Sequence, residues 1–476
     1  MLILLLVKEI SDHLKSLRFI LTFVMATVLF IVSAALFIPD FRQQMSDYDQ
    51  GRNELMTDLS NRANQRAGLF FVYSFNYNGP WVTKRPNHLS FISEGHDRNL
   101  PNAFQPSAFR VYGPAKQVRS NILLWRSEVV DWALIVGIIL SFAALVLAYD
   151  GVSGERENGT LRLGLSNAVS RFTVLFSKFL GALICLAAAL TVGIVMNLII
   201  VTGVGGIPLT APDWIVVGLS FLLALLYISV FLMLGLFVSS ITREAATSLV
   251  VGLLCWALFV IVIPRSGGFI ATRISDLPTW SKAQLDAYSK EREARKEYEK
   301  DNPEIARAGM SGHWSPGEPL ERAFVMSDGW SVAFDGYRNG MIHQVELARK
   351  ATLISPYTSF TMGLEILTES GITHYKEFFR QVQDYRLTMR QQLVDLYPLP
   401  MKWHDSDEKL RTEDTMAKFQ KAIEPIDFDS ISKFEEKRAG LPVLINEALP
   451  YFLLLVLFNV LFFAGAFVSF LRYDVR

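Results

Sequence analysis

The sequence lacks an excess of charge of either sign. Its 476 residues include 46 Lys and Arg and 46 Asp and Glu, so the formal net charge is zero. A nucleic-acid-binding protein carries a basic excess to meet phosphates, and we therefore expect no nucleic-acid partner. Only 19% of the residues are charged and 51% are apolar, which excludes a charged, disordered chain.

Cysteine and the common catalytic motifs are also scarce. The two cysteines, Cys185 and Cys255, both fall in apolar runs, so the polar segments must fold without disulfides. The chain has no Gly-x-x-x-x-Gly-Lys-Ser/Thr phosphate loop, no His-Glu-x-x-His and no Gly-x-Ser-x-Gly. We therefore expect no catalytic residue, no bound cofactor and no metal site on this chain. A metal site assembled from scattered histidines, or an enzyme site in the polar segments, is the alternative.

Long apolar runs are what the sequence does contain. A helix needs about 20 apolar residues to cross a bilayer. The runs predict six transmembrane helices, at residues 19–38, 129–149, 178–202, 214–241, 245–264 and 447–471. Their apolar cores contain no Asp, Glu, Lys, Arg or His, whereas a soluble helix of this length needs a polar stripe. The fold class is therefore an α-helical polytopic membrane protein, with apolar hairpins buried in a large soluble protein as the alternative.

The absence of ionisable side chains from these runs also bears on the energy source. Transporters driven by proton or sodium gradients usually keep Asp, Glu or His inside the membrane for the coupling ion. If this chain moves a substrate, the driving energy is therefore expected to enter from another chain, at the cytosolic face.

Residues 1–18 predict an amphipathic helix at the membrane surface. Ile3, Leu6, Ile10 and Leu14 recur at spacings of three and four, which places them on one helical face. A simple cytosolic extension of the first span is the alternative.

Positive charge is unevenly distributed among the short connections. Lys and Arg occur in the N-terminal stretch, in residues 150–177, after the fourth span and at the C-terminus, whereas residues 203–213 have none. The positive-inside rule therefore places both termini in the cytosol. Two large insertions, at residues 40–128 and 265–446, are then extracytoplasmic.

The two insertions differ in their patterns. The first mixes short aromatic runs with Pro and Gly, which predicts a small mixed or β-containing lobe. The second is predicted to be mainly helical. Ser281 followed by Gln284 indicates a capping box that opens a helix to about Lys300. An apolar stripe from Tyr375 to Leu396 predicts another helix, and it is more typical of a domain core or a dimer contact than of a ligand groove.

The connection at residues 150–177 carries the most specific local pattern. It reads Ser-Gly-Glu-Arg-Glu-Asn-Gly-Thr-Leu from Ser153 to Leu161. Gly159 can end the helix that leaves the membrane, and Thr160 can cap a short second helix that ends near Ser166. A short, partly apolar helix at the cytosolic surface is a docking element, and a solvated charged turn is the alternative.

This stretch resembles the permease subunits of ABC exporters of the type-2 family, in the branch with enlarged extracytoplasmic loops. In that family Ser-Gly-Glu-(Arg/Lys)-Glu-x-Gly-Thr-Leu and a later Ser-Arg, here Ser170-Arg171, mark the loop that contacts the ATPase. The similarity extends to Val238–Arg243 and to the terminal Arg472–Arg476. Ala168 departs from the pattern, because relatives often have proline there, and this bears on where the short helix ends.

The resemblance implies a dimer with a second permease copy or a paralogue, above separate ATPase subunits that bind the ATP and Mg. It implies that these residues lie at or near the ATPase contact: Glu155, Arg156, Glu157, Gly159, Thr160, Leu161, Arg162, Leu165, Ser166, Arg171 and Arg243. For Arg171 and for Lys178, anchoring to anionic lipid headgroups is the simpler alternative.

The function implied by the resemblance is that of a multi-pass permease subunit in the bilayer of the bacterial cytoplasmic (inner) membrane. ATP hydrolysis by a separate ATPase subunit would be coupled to movement of a substrate across or out of the membrane. The alternative is an ATP-driven mechanotransmitter that acts on an extracytoplasmic protein and has no translocation path. Family resemblance does not select the substrate.

Overall fold

The chain folds into a helical bundle with two lobes at one of its ends. The computed structural model describes residues 2–73, 81–95, 97, 100–113, 130–161, 170–303, 320–397, 417, 420, 421 and 423–472. The helices are, in chain order, α1 (Leu2–Lys15), α2 (Leu17–Ala63), α3 (Gly68–Tyr73), α4 (Trp132–Leu134), α5 (Ser141–Ala148), α6 (Ser153–Glu157), α7 (Arg171–Leu198), α8 (Ala211–Ile241), α9 (Ala245–Ala257), α10 (Ile263–Ile274), α11 (Trp280–Asp301), α12 (Leu320–Ala351), α13 (Pro356–Leu367), α14 (Gly371–Leu396) and α15 (Leu441–Leu471).

Six helical stretches in the described part of the chain are long and apolar enough to cross a membrane. They lie in Leu17–Ala63, Trp132–Glu157, Arg171–Val204, Ala211–Ile241, Ala245–Ile274 and Leu441–Leu471, and we number these spans one to six. Three of them contain π-helical turns, at Ile135–Leu140, Ile199–Val204 and Leu258–Val262. The six candidates agree with the predicted α-helical membrane protein.

The fourth span is the centre of the bundle. The protein buries 72% of its most apolar stretch, compared with 11% for the sixth span. Tyr227 and Phe231 of the fourth span are fully buried, whereas Leu453 and Val460 of the sixth are 60% and 58% exposed. Exposed apolar side chains on a span are expected, because lipid tails are as apolar as leucine.

The first span continues well beyond the residue at which its apolar run ends. The expected end is at residue 38, but α2 runs on to Ala63. Most side chains of this extension are polar, and pairs four residues apart, such as Gln50 with Glu54, support the helix. Its last turns carry Leu59 and Ala63 into an apolar core. Helix therefore occupies much of the segment expected to begin the first lobe at residue 40.

Strands occur in the first insertion, and they are short. β1 (Val82–Thr83), β2 (Ala103–Pro106) and β3 (Val111–Tyr112) form an antiparallel sheet in the order β1-β2-β3. Val82 pairs with Phe104, and Gln105 pairs with Tyr112. Phe104 is fully buried against Phe378 and Phe379 of α14, so the two insertions share one core.

The second insertion is largely helical, and its helices differ in detail from the sequence-based expectations. α11 begins at Trp280, and the Thr279 side chain accepts from the Lys282 N–H. The expected capping box at Ser281 and Gln284 is therefore wrong, because a better N-cap lies two residues earlier. The apolar stripe of α14 is core as predicted, with Tyr375, Phe378, Val382, Met389 and Leu393 all buried.

One helix of the second insertion returns into the bundle. α13 follows residues that we expected to lie outside, yet its Phe360 stacks on Tyr227 of the fourth span, with ring centroids 4.4 Å apart. Ser355, the N-cap of α13, donates to the Phe259 carbonyl of the fifth span. α13 is apolar on most of its surface, and only the interior of the bundle can bury such a helix.

The two ends of the bundle are formed by different segments of the chain. Arg18, near the start of the first span, pairs with Asp150 beyond the second at 2.7 Å. The Arg171 guanidinium donates to the Phe470 carbonyl at the end of the sixth span, at 2.8 Å. The start of the first span, the end of the sixth and the described residues 150–161, 170 and 171 therefore share one end, which we call the loop end. The lobes occupy the opposite end, the lobe end.

Candidate functional site

The candidate site is built on the short helix α6 at the loop end. Its N-terminus is capped from another span: the Ser239 Oγ of the fourth span accepts from the backbone N–H groups of Val152 and Ser153, at 3.0 and 2.9 Å. The first N–H groups of a helix have no partner within the helix, so this serine replaces a local N-cap. Ser153 and Ser239 are both buried. The fourth span therefore fixes where α6 begins.

Two of the expected contact residues hold the turn between the fourth and fifth spans. The Arg156 Nη1 donates to the Thr242 carbonyl at 2.8 Å, and the Glu157 Oε2 accepts from the Ala245 N–H at 3.0 Å. A guanidinium thus meets carbonyls at the C-terminus of one helix, and a carboxylate meets an N–H at the N-terminus of the next. Both arrangements are favoured by the helix dipoles. Arg243, in the same turn, is exposed.

Glu155 reaches a buried lysine of the third span. Lys178 Nζ lies 2.7 Å from Glu155 Oε1 and 3.1 Å from Glu9 Oε1 of α1. The Lys178 side chain is only 8% exposed. The ammonium therefore joins α6, the third span and α1, and its burial excludes the alternative that it anchors to lipid headgroups. A cavity of 260 Å³ lies beside this group, and His13 also lines it.

Gly159 separates α6 from the next helical turn. Its φ of +72° favours glycine, and a Cβ there would meet no atom within 4 Å. The chain is helical again at Thr160 and Leu161, of which Thr160 is exposed and Leu161 is buried. Thr160 is therefore already helical, not the residue before the helix, and its Oγ1 donates to the Glu155 carbonyl at 3.3 Å. Gly159 ends the helix as expected.

The other expected residues are placed only in part. Arg171 donates to the Phe470 and Leu471 carbonyls, which lie at the C-terminus of the sixth span. Arg162, Leu165 and Ser166 lie outside the described residues, and so does the expected end of the short helix.

Sequence reasoning missed the residues that receive these contacts. Ser239 and Glu9 are separated from α6 by long stretches of chain, and the resemblance at Val238–Arg243, which includes Ser239, did not show that this serine caps α6. One signal in the sequence could have indicated these contacts. Lys178 is a lysine at the edge of a predicted span, and a buried lysine needs a carboxylate partner.

A comparison with known protein families identifies the chain. The model of the family described as ABC-2 family transporter protein matches residues 3–475. The chain belongs to this family. As an ABC-2 family member it is a protein of a membrane transporter family, in agreement with its six candidate spans.

A curated relative of this ABC-2 family member agrees with that assignment. The chain is similar to a "Probable ABC transporter permease protein NosY" from Stutzerimonas stutzeri, with 32% identity over 137 residues. The match covers 29% of this chain and 49% of the relative, so the chain spans about half the length of that relative.

Proposed function

We propose that this chain is the permease subunit of an exporter, and that it couples ATP hydrolysis by a separate ATPase subunit to movement of a substrate across or out of the membrane. The observation that carries the proposal is the set of contacts made by Glu155, Arg156 and Glu157. These three consecutive residues join α6 to α1, to the third span and to the turn between the fourth and fifth spans.

These contacts suggest how a push from the ATPase would spread. Gly159 and Thr160 follow α6 by one residue and are exposed, as is Arg243, so these residues are accessible to a partner. A displacement of α6 would move the turn at Thr242–Ala245 through Arg156 and Glu157, and it would move the third span through Lys178. The third, fourth and fifth spans would then shift together, as in rigid-body switching of packed elements.

The proposal places the loop end in the cytosol of a bacterium, with the lobes outside the cytoplasmic membrane. The support is the distribution of basic residues. Lys15, Arg18, Arg156 and Arg243 belong to the loop end, whereas the turn at residues 203–210 between the third and fourth spans contains no Lys or Arg. Short cytosolic connections carry the excess of Lys and Arg. In this proposal two copies, or this chain and a paralogue, form the dimer above the ATPase pair.

The test is reconstitution with the ATPase subunit. We expect the two chains to co-purify and the permease to change the rate of ATP hydrolysis. Arg156→Ala combined with Glu157→Gln should preserve the complex but reduce that change in rate, because α6 then loses its contacts with the turn and keeps only those with Ser239 and Lys178.

The matched control is Lys8→Ala, an exposed cation of α1 at the same end. It should behave as the wild type. An Arg156/Glu157 variant that still responds fully to ATP would argue strongly against coupling through α6.

One observation favours a second function, the transmission of force to an extracytoplasmic protein. α2 is a single helix of 47 residues, or about 70 Å at 1.5 Å per residue. It starts at the loop end and finishes in the lobe core with Leu59 and Ala63. Such a helix can carry motion from the bilayer to the lobes without a translocation path. ATP-dependent movement of the lobes with no substrate transported into vesicles would favour this function.

A further inference from the structure

A large cleft lies at the lobe end, away from the contacts of α6. Its volume is 1320 Å³. One wall is a face of the α2 extension, and the other is formed by the turn after the third span together with parts of both insertions. The proposed function does not use this cleft.

Arginines are placed where the cleft meets the ends of the spans. The Arg42 Nη2 donates at 2.8 Å to the carbonyl of Gly205, which lies in the turn between the third and fourth spans. Arg438 and Arg85, from the second and first insertions, line the same cleft. Among the described residues, none of these three guanidinium groups is paired with a carboxylate. The membrane end of the cleft therefore carries guanidinium groups without a salt bridge, and the nearby Glu369 carboxylate offsets part of the charge of Arg438.

A hydrogen-bond chain holds one of these arginines at the level of the span ends. His88 Nε2 lies 3.0 Å from Asp213 Oδ2 near the start of the fourth span, and Arg438 Nη1 lies 3.2 Å from His88 Nδ1. A neutral imidazole with its proton on Nε2 satisfies both contacts, since it donates to Asp213 and accepts from Arg438. Burial lowers the pKa of His88, with Arg438 and Arg85 acting in the same direction, which favours that neutral form. Trp214 directly follows Asp213 in the chain and is 51% exposed. An exposed tryptophan at the end of a span is typical of the membrane interface.

The lining at this end is both cationic and apolar. Phe41 and Met45 of α2, with Ile207 and Pro208 of the turn, lie in the cleft beside the arginines. Among the described residues, the carboxylates that line the cleft lie farther along α2: Asp49 to Asp58 follow Arg42 by about 10 to 24 Å at 1.5 Å per residue. A ligand at the membrane end would therefore meet cations and apolar surface together.

We propose that the membrane end of this cleft binds the phosphate group of an anionic lipid headgroup, with Arg42, Arg85 and Arg438 as its cationic partners. Arginine suits a phosphate because its planar fork donates two parallel hydrogen bonds. The apolar residues beside the arginines favour a phosphate that belongs to an amphiphile over one in free solution. The site is independent of ATP coupling, because binding requires this chain alone.

The experiment is calorimetric titration of the full-length protein, purified in a neutral detergent without the ATPase. The probes are dihexanoyl-phosphatidylglycerol, dihexanoyl-phosphatidylcholine and inorganic phosphate. We expect saturable binding of phosphatidylglycerol, with weaker binding of the other two probes. Arg85→Gln should weaken phosphatidylglycerol binding by about tenfold, the effect of one lost charge-assisted hydrogen bond. Because Arg85 is exposed, this variant should fold normally.

The matched control is Arg52→Gln, an exposed arginine of the same α2 extension that does not line the cleft. It should change the affinity by less than about twofold. Equal loss of affinity in the Arg52 and Arg85 variants would overturn the site, and so would the absence of saturable binding. Inorganic phosphate that binds as tightly as the lipid, with the same dependence on Arg85, would overturn the lipid assignment.

Discussion

Lys178 is the residue on which the candidate site most depends. It is buried between Glu9 and Glu155, so each carboxylate relies on this ammonium for its compensation. Breaking a buried ion pair by removing one member is strongly destabilising, since it leaves an uncompensated charge away from water. The same lysine connects α6 to the third span, and stability and coupling are therefore linked at this position.

We expect Lys178→Met to destabilise the protein by about 3 kcal/mol, the lower end of the usual range, because the Glu155 side chain stays 28% exposed. Glu155→Gln should cost less, about 1 kcal/mol, since Lys178 keeps Glu9. Thermal unfolding in detergent measures both. Lys15→Met removes an exposed lysine of α1 as the control and should leave the unfolding temperature unchanged. A Lys178 variant as stable as this control would contradict the buried pair.

His88 predicts a pH dependence of stability. Burial is the main cause that lowers its pKa from the ordinary value of 6.5, and the hydrogen bond to Asp213 only partly opposes it. The unfolded chain therefore binds a proton more readily, so stability should fall as the pH drops from 6.5 toward the lowered pKa. His88→Asn should flatten this part of the curve of unfolding temperature against pH.

His343→Asn supplies the control for the His88 prediction. His343 is an exposed histidine of α12, and its substitution should not change the curve. A wild-type curve that is flat below pH 6.5, or one that His88→Asn does not alter, would contradict the predicted cause.

At the scale of the helices, the second and fourth spans cross with little space between them. A Cβ added at Gly235 would lie 2.7 Å from the Ala148 Cβ, which cannot rotate away. Small residues at such crossings allow helices in a membrane to approach closely. This crossing lies one turn from Ser239, so it also sets the position of α6.

Gly235→Ala should therefore destabilise the bundle by about 1–3 kcal/mol, the usual cost of overpacking. Gly218→Ala in the same helix is the matched control, because a Cβ there meets nothing within 4 Å. It should be neutral or stabilising by up to about 1 kcal/mol, since alanine is the better helix former. The measurement is the unfolding temperature of both variants in detergent. Equal shifts in unfolding temperature would contradict the close crossing.

The success of sequence reasoning varied between the elements for physical reasons. The six spans could be predicted because a long, uninterrupted apolar run is stable in lipid as a membrane-spanning helix. The extension of α2 could not, because most of its side chains are polar and its buried residues, Leu59 and Ala63, fall in its last turns. α13 was assigned to the outside because a helix of twelve residues is too short to span a bilayer, although such a helix can be buried inside the bundle.

The position of the candidate site could be predicted from the sequence, but the contacts that its side chains make could not. Gly159 as a helix end follows from local chemistry, and the importance of residues 153–161 came from resemblance. The contact of Lys178 with Glu9 joins residues 169 apart in the chain, and that of Arg156 with Thr242 joins residues 86 apart. Such pairs depend on how spans are arranged around the fourth, which local patterns do not encode.

At the scale of the whole molecule, the structure separates the place where force would enter from the place where it would act. α6 and the ends of the spans form one end, and the two insertions share cores at the other. The fourth span and α2 connect them. The cleft with Arg42, Arg85 and Arg438 lies at the far end of this connection, where a lipid headgroup could be held.

The most direct test of this account is site-specific cross-linking to the ATPase in native membranes. With Cys185 and Cys255 replaced by alanine, single cysteines are introduced at Thr160 in the loop end and at Ser289 in α11 of the lobes, both of which are exposed. We predict that Thr160→Cys cross-links to the ATPase subunit and that Ser289→Cys does not. A cross-link from position 289 without one from position 160 would contradict the account.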